Sequence, residues 1–431
     1  MSEEAVGDAA DATDGPTGPA VRRLADWTAP DLRGLAAEHG TPLYVTDLDR
    51  VRENAIRLRR AFDAGDEDGD ADVRYAVKAH TGRAVLRTVR EAGLGAECAS
   101  AGEVVRALDA GFEGREVQYT AVNPPSGDLD IVLDRWRDGA DLTVVAGAAD
   151  TLDRLRSRGF DGRLAVRVNP GVGAGHHEKV TTGGHAKFGV PYDRVPGLLA
   201  DARADFDVVG IHAHAGSGIS GDDLDAHREL VARMGELARE VGDLEFVDVG
   251  GGFGVPYREA EPPLDIAAVA DATREALGEV DAVLAVEPGR YVVADAGVLL
   301  TRVNTVKEGG GDESGVVAGV DAGMTTLLRP AMYDAYHAIR NLAADGRAEL
   351  PVTVAGPVCE TADLFCEERP LPTPERGDLL ALGNAGAYGY EMASTYNSRP
   401  RPAEVVLEGG TARLARERES LDALTALEGD R

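Results

Sequence analysis

Lysine is scarce in this chain. Four lysines, Lys78, Lys179, Lys187 and Lys307, are present among 431 residues, and the rest of the 45 basic residues are arginine. The base composition of the gene explains that bias as well as selection does, but it means that each lysine needs a reason. Positive charge is scarce too: 75 acidic residues leave a formal net charge of -30. Such a surface repels nucleic acid and anionic membranes, and it matches a salt-adapted protein. Three cysteines, Cys98, Cys359 and Cys366, are too few and too unevenly spaced for a disulfide framework or a four-thiolate zinc site. They point to a reducing compartment, the cytoplasm. No apolar run reaches the ~18 residues that a membrane-spanning helix needs. Residues 1–20 are acidic and rich in Ala, Gly and Asp; they read as a disordered tail, not a signal peptide.

What is present is a globular pattern, 43% hydrophobic and long enough for two cores. From residue 73 short β-rich runs recur: VRYAV (73–77), LGAEC (94–98), VQYT (117–120), LTVV (142–145), LAVRV (164–168), VVGIHAH (208–214), FVDVG (246–250) and VLAVE (283–287). Helix-length amphipathic segments separate them. A strand about every 30 residues, each followed by a helix, predicts a parallel (β/α)8 barrel, with a doubly wound open sheet as competitor. After residue 290 the runs GVLLTRV, SGVVAGV, LPVTVAG, DLLAL and AEVVL are separated by Gly/Pro turns and predict a mostly β domain. The expected division is a tail over 1–20, a segment over 21–45 that adds to the β domain, a barrel over 46–290 and the β domain over 291–431. The acidic stretch 63–72 spaces its aspartates like a calcium loop but lacks the terminal glutamate, so a solvated loop explains it better.

Barrel active sites lie at the C-terminal ends of the strands, and the chemically unusual residues collect there. Lys78 closes the first run, Glu97 and Cys98 the second, Arg167 and Asn169 the fifth, and His212 and His214 the sixth. GGGFG (250–254) follows the seventh and Glu287-Pro288-Gly289-Arg290 ends the eighth. Glycines without Cβ let backbone amides close around an anion, as in barrel phosphate sites, although a plain tight turn is the simpler reading. Covalent attachment of an aldehyde cofactor needs an amine that can lose its proton, a role open to Lys78 and closed to arginine. Burial and nearby cations would help by lowering its pKa; a strand-end ion pair is the alternative. Pyridoxal phosphate needs both a phosphate site and such an amine, and Glu287 supplies the acid that its ring nitrogen requires. His212 and His214 fit a metal pair with Asp248, as in metal-dependent barrel hydrolases, or an imidazole stacked on a cofactor ring, or satisfied core histidines.

Taken in order, YAVKAH, GAECASAGE, RVNPGV, KFGV, HAHAGSGI, DVGGGFG, EPGRYVV, RPAMYDAYH, GPVCETAD and GAYGYEMASTYNSRPRPAEV resemble the fold-type III pyridoxal-phosphate decarboxylases, specifically the diaminopimelate decarboxylase family. The resemblance covers nearly everything after residue 20. It implies a TIM barrel of the alanine-racemase type plus the C-terminal β domain, with pyridoxal 5′-phosphate as cofactor and no metal. It implies that Lys78 anchors the cofactor and that His214 stacks on its ring. Ser217, Gly252 and the backbone of Pro288, Gly289 and Arg290 would hold the phosphate, and Glu287 would pair with the ring nitrogen. Arg290, Arg329, Tyr333 and Glu360 would bind substrate, Tyr388 would reach both phosphate and substrate, and Cys359 would return the proton that replaces carbon dioxide. In that family Cys359 and Glu360 act on the neighbouring subunit, which implies a homodimer. The chain departs from the family's usual Cys-Glu-Ser-Gly-Asp by reading Cys359-Glu360-Thr361-Ala362-Asp363, and from a common Leu by reading Phe in GGGFG.

The implied reaction converts meso-2,6-diaminopimelate to L-lysine and carbon dioxide, the last step of lysine biosynthesis. An arginine at Arg329 suits a distal carboxylate, whereas ornithine, arginine or carboxynorspermidine, the substrates of related decarboxylases, would call for acid there. A salt bridge for Arg329 and a small buried hydrophobe for Cys359 are the bland alternatives.

Overall fold

A computed structural model describes residues 20–63, 71–172, 188–214, 216, 218–219, 224–308, 315–344 and 346–429. Ser217, Lys179, Lys187 and most of the acidic loop lie outside them. Among the described residues, ten strands precede residue 290: β1 (Leu43–Asp47), β2 (Asp72–Ala76), β3 (Gly95–Cys98), β4 (Val117–Ala121), β5 (Thr143–Ala146), β6 (Arg163–Asn169), β7 (Val190–Pro191), β8 (Asp207–His212), β9 (Phe246–Asp248) and β10 (Val283–Val286). Eight of them run parallel in the order β5-β4-β3-β2-β10-β9-β8-β6, and β5 pairs with β6 to close the ring. The barrel predicted from the eight runs is therefore present, and the open sheet is not. The short β7 adds to β6 outside the ring.

Alternation along the strands places the site. Val73 and Tyr75, Ala96 and Cys98, Val117 and Tyr119, Val247 and Val249 face outward into one large hydrophobic core with the surrounding helices. By the two-residue period, Arg74, Glu97, Gln118, Arg167, His212, Asp248 and Glu287 face the barrel axis. All seven are buried. A small apolar floor of Val145, Ala165, Val209, Phe246 and Ala285 lies below them. Gly210 makes room for it: a Cβ there would stand 2.6 Å from the Phe246 ring. The helices carry sequence-coded starts, with Ser100 accepting from the Glu103 amide and Asp265 from that of Ala268.

The remaining strands are β11 (Gly297–Glu308), β12 (Val316–Val320), β13 (Ile339–Asn341), β14 (Glu349–Ala355), β15 (Leu364–Pro372), β16 (Leu379–Leu382), β17 (Ala403–Glu408) and β18 (Thr411–Arg416). They form a second sheet, ordered β15-β14-β12-β11-β1-β17-β18, with β16 on β11 and β13 on β16. Strand β1 sits inside it, antiparallel to β11 and parallel to β17. Glu404 on β17 joins the sheet to the barrel mouth. Only 1% exposed, it pairs with His80 at 2.7 Å and with Arg416 at 3.1 Å and accepts from Thr46 at 2.9 Å. Burial acts to raise its carboxyl, but His80 and Arg416 hold it at about 2. His80 is two residues from Lys78, so this buried cluster fixes the turn that carries the lysine.

Candidate active site

Lys78 lies in the one-turn helix Val77–Ala79 just past β2, at the barrel mouth. Its side chain is 40% exposed, and its ammonium meets Glu97 Oε2 at 2.5 Å. Burial lowers the ammonium's pKa, but the charges of Glu97 and then Glu287 outweigh it, and the net direction is upward. This corrects the expectation of a lowered lysine: carboxylates, not cations, are its neighbours. The strand-end ion pair is real, and it coexists with the position a cofactor anchor needs.

Below it, Gln118 organises the buried acids. Its amide nitrogen donates to Glu287 Oε1 at 2.8 Å, to Asp248 Oδ2 at 3.0 Å and to Thr120 Oγ1 at 3.2 Å, while Arg74 donates to its oxygen. His212 Nε2 meets Glu287 Oε2 at 3.2 Å. Burial and then the charge of Glu97 push Glu287 up to about 7; burial and then Glu287 push Asp248 up to about 7 as well. Burial holds His212 at about 4. Glu287 is thus an acid able to keep a proton near neutrality.

The histidines separate. His212 ends β8 and turns to Glu287, whereas His214 lies beyond the strand and accepts from the Gly251 amide at 3.1 Å. Burial and then Lys78 lower the His214 pKa. The metal set suggested by the sequence, His212, His214 and Asp248, is not the one gathered. His212, Asp248 and Glu287 instead bring a donor atom each within 4.8 Å of one another, and the Gln118 amide already bonds both carboxylates.

The glycine turn is shaped for close approach. Gly250 and Gly252 have φ of 75° and 101°. A Cβ on Gly251 would fall 1.9 Å from the Glu287 carbonyl, and one on Gly252 2.5 Å from that of Gly216. Gly289 packs a possible Cβ 3.1 Å from those of Ala76 and Ala79, and the Pro288 carbonyl accepts from the Ala76 amide at 2.9 Å. The loop ending in Arg290 is therefore pressed against the strand end that carries Lys78. Tyr388, left-handed at φ 56°, donates its amide to the Ala79 carbonyl at 2.9 Å, and the Arg290 guanidinium lies 4.9 Å from its ring.

Arg290 and Arg329 meet at one atom. Both donate to the Tyr257 hydroxyl, at 2.7 and 2.8 Å. Arg329, 4% exposed, also contacts His337 Nε2 at 3.2 Å. Tyr333 is half-buried at the end of the short helix that Arg329 begins. Cys359 and Glu360, by contrast, are exposed. Asn397 Nδ2 lies 3.6 Å from Cys359 Sγ, and the Tyr396 hydroxyl donates to Glu360 Oε1 at 2.5 Å.

Sequence reasoning missed Gln118, Arg74 and Tyr257. For the first two the signal was available: each is a polar residue at the inward position of an otherwise apolar strand. Tyr257, three residues past GGGFG, carried no period at all.

The segment 48–294 matches the family model for the pyridoxal-binding domain of pyridoxal-dependent decarboxylases. The chain belongs to this family of pyridoxal-dependent decarboxylases. Diaminopimelate decarboxylases are among its relatives. One from Methanothermobacter thermautotrophicus is 44% identical over 91% of this chain and 93% of its own length. Another from Escherichia coli strain K12 is 38% identical over 94% and 97%. The crystal structure of diaminopimelate decarboxylase from Helicobacter pylori complexed with L-lysine superimposes with a TM-score of 0.84 at 32% identity, covering 92% of this chain and 99% of that one. The enzyme's cofactor is pyridoxal 5′-phosphate. The donor set fits it: an amine open to the barrel mouth, a buried acid whose pKa is pushed up to about 7, and a glycine turn with no room for side chains.

Proposed function

We propose that the protein decarboxylates meso-2,6-diaminopimelate to L-lysine and carbon dioxide, closing lysine biosynthesis in the cytoplasm. The observation that carries this choice is the pair Arg290 and Arg329 converging on Tyr257 beside the Lys78 loop. Two guanidiniums at one point suit a carboxylate at the substrate's far end. Ornithine, arginine and carboxynorspermidine present a cation there, which the same pair repels.

When bound, the cofactor supplies an electron sink for the pair left behind as carbon dioxide departs. Lys78 would hold it through its amine. Glu287 would serve the ring nitrogen, His214 would face the ring, and Gly252, Ser217 and the Pro288–Arg290 backbone would hold the phosphate. Arg290, Arg329, Tyr333 and Tyr388 orient the substrate. Cys359 delivers a proton to the carbon that lost its carboxylate, and Glu360 meets the distal amine. Both are exposed on their own chain, which supports their service to a second copy in a homodimer.

Carbon dioxide release from meso-diaminopimelate, ornithine, arginine and carboxynorspermidine tests the reading, with borohydride fixing the cofactor to Lys78 in the same sample. Preferred turnover of diaminopimelate is expected. Equal turnover of ornithine would overturn the substrate assignment.

A further inference from the structure

Tyr257 has no part in the roles above, yet it makes the shortest contacts of both arginines. Its hydroxyl oxygen accepts from Arg290 Nη1 at 2.7 Å and from Arg329 Nη1 at 2.8 Å. The two guanidiniums also lie 5.9 and 5.0 Å from its ring. Behind Arg329 stands His337, whose Nδ1 bonds the Gly383 carbonyl at 2.8 Å and whose ring meets the Tyr257 ring edge-on at 5.5 Å. His337 is buried and its pKa is driven down to about 3, by burial first and then by Arg329. It is therefore a neutral partner that does not offset the arginines. Burial acts to raise the Tyr257 hydroxyl, but Arg290 and Arg329 outweigh it and its pKa is lowered. Two like charges therefore meet at one hydroxyl oxygen beside a neutral ring, a cluster whose excess positive charge an anion would offset.

The two cations come from different parts of the chain. Arg290 follows β10 of the barrel, while Arg329 starts a helix in the part of the chain that forms the second sheet. Tyr257 comes from a third segment, the loop after the glycine turn. A single acceptor that bonds both fixes the separation and tilt of their remaining N–H groups.

We propose that Tyr257 is the positioning residue of the distal-carboxylate site. It spaces Arg290 and Arg329 so that together they receive the carboxylate at the end of the substrate remote from the bond that breaks. This rests on the diaminopimelate reading and adds the residue that sets its selectivity. Tyr257 acts through the arginines and touches no reacting atom.

The test compares two ligands of the holoenzyme that differ by that carboxylate. L-lysine retains it; cadaverine, 1,5-diaminopentane, does not. Binding of each is measured by calorimetry and as inhibition of turnover, in wild type and in Tyr257→Phe, which keeps the ring and deletes the acceptor. The expected result is a loss of L-lysine affinity of about tenfold or more, the scale of a hydrogen bond to a charged group, with cadaverine unchanged. KM for diaminopimelate rises in step, and kcat changes much less. Tyr257→Met, a flexible replacement that also lacks the acceptor, gives the same split should the phenylalanine variant not yield folded holoenzyme. Equal losses for both ligands, or no loss for either, would overturn the proposal. A wild-type enzyme that binds cadaverine as well as L-lysine would instead sink the substrate reading itself, so the two failures are distinct.

Discussion

The barrel mouth around Lys78 and the turn around Cys359 are both rich in reactive groups, but they are built in opposite ways. At the mouth the key side chains are tied to partners within the same chain: Lys78 to Glu97, Glu287 to Gln118 and His212, Arg290 to Tyr257. At the turn the backbone is tied down and the reactive tips are left outside. Asp363, buried, accepts from the Met324 and Val358 amides at 2.5 and 2.6 Å, while Cys359 and Glu360 are exposed, held by the equally exposed Asn397 and Tyr396. An outward-facing pair of this kind suits the proposed service to a second copy of the chain. On the proposed reading the mouth holds the cofactor and the turn supplies the acid that completes the reaction.

The sharpest way to break this contrast is to divide the two halves between chains. Lys78→Ala removes the anchor and is expected to abolish turnover and borohydride-stable labelling. Cys359→Ala keeps labelling and loses on the order of 10²–10³ in kcat, the range of a missing proton donor. Mixed and allowed to exchange subunits, the two variants should recover about a quarter of wild-type activity, because hybrid dimers pair one intact mouth with one intact turn. Titration of activity against the mixing ratio checks this. No recovery despite demonstrated exchange would mean that each chain serves its own site.

Next in size is Glu287→Gln, expected to cost on the order of a hundredfold in kcat by removing the charge paired with the ring. It also carries a pH signature in the cofactor-free protein. The Glu287 carboxyl stands at about 7 against an ordinary 4.5, and Asp248 at about 7 against 3.8. For groups raised on folding, the stabilisation is complete below the ordinary value and is lost as pH rises through the folded one. His212 runs the other way: held at about 4 against 6.5, it loses stability as pH falls through that window. The two carboxyls outweigh the one histidine, so Tm of the cofactor-free protein should decline as pH rises between about 4 and 7. The decline should be shallower in Glu287→Gln. An unchanged slope, measured by calorimetry across that range, would remove Glu287 from this account.

The barrel was legible because its signal is periodic. Alternate residues of eight short runs face inward, so Lys78, Glu97, His212 and Glu287 could be placed at one end before any coordinates. The same rule, applied more strictly, would have delivered Gln118 and Arg74. Charge was less legible: the neighbours of Lys78 come from β3 and the end of β10, and no local pattern reveals that they are carboxylates rather than cations. Tyr257 was out of reach for another reason. Its meaning lies in a meeting of a loop with the first residues of two short helices far along the chain, and no local period links them.

The smallest expected effect concerns the departure in the turn itself, Ala362 where the family usually has glycine. Glycine would be demanded only if the backbone there were left-handed, and Ala362 is not among the residues with positive φ. The turn closes through ordinary bonds, from the Asp363 amide to the Glu360 carbonyl at 3.1 Å and from the Leu364 amide to that of Ala362 at 2.8 Å. Alanine therefore fits without strain, and its effect lies in the unfolded chain, which it restricts. Ala362→Gly should lower stability by about 0.4–1 kcal/mol and leave kcat and KM for diaminopimelate within about twofold, a change too small to reflect a lost contact. Denaturant unfolding and steady-state kinetics on the one variant decide it. A gain in kcat would mean that the turn must bend to deliver the Cys359 proton, and that the tied-down turn described above is in truth a hinged one.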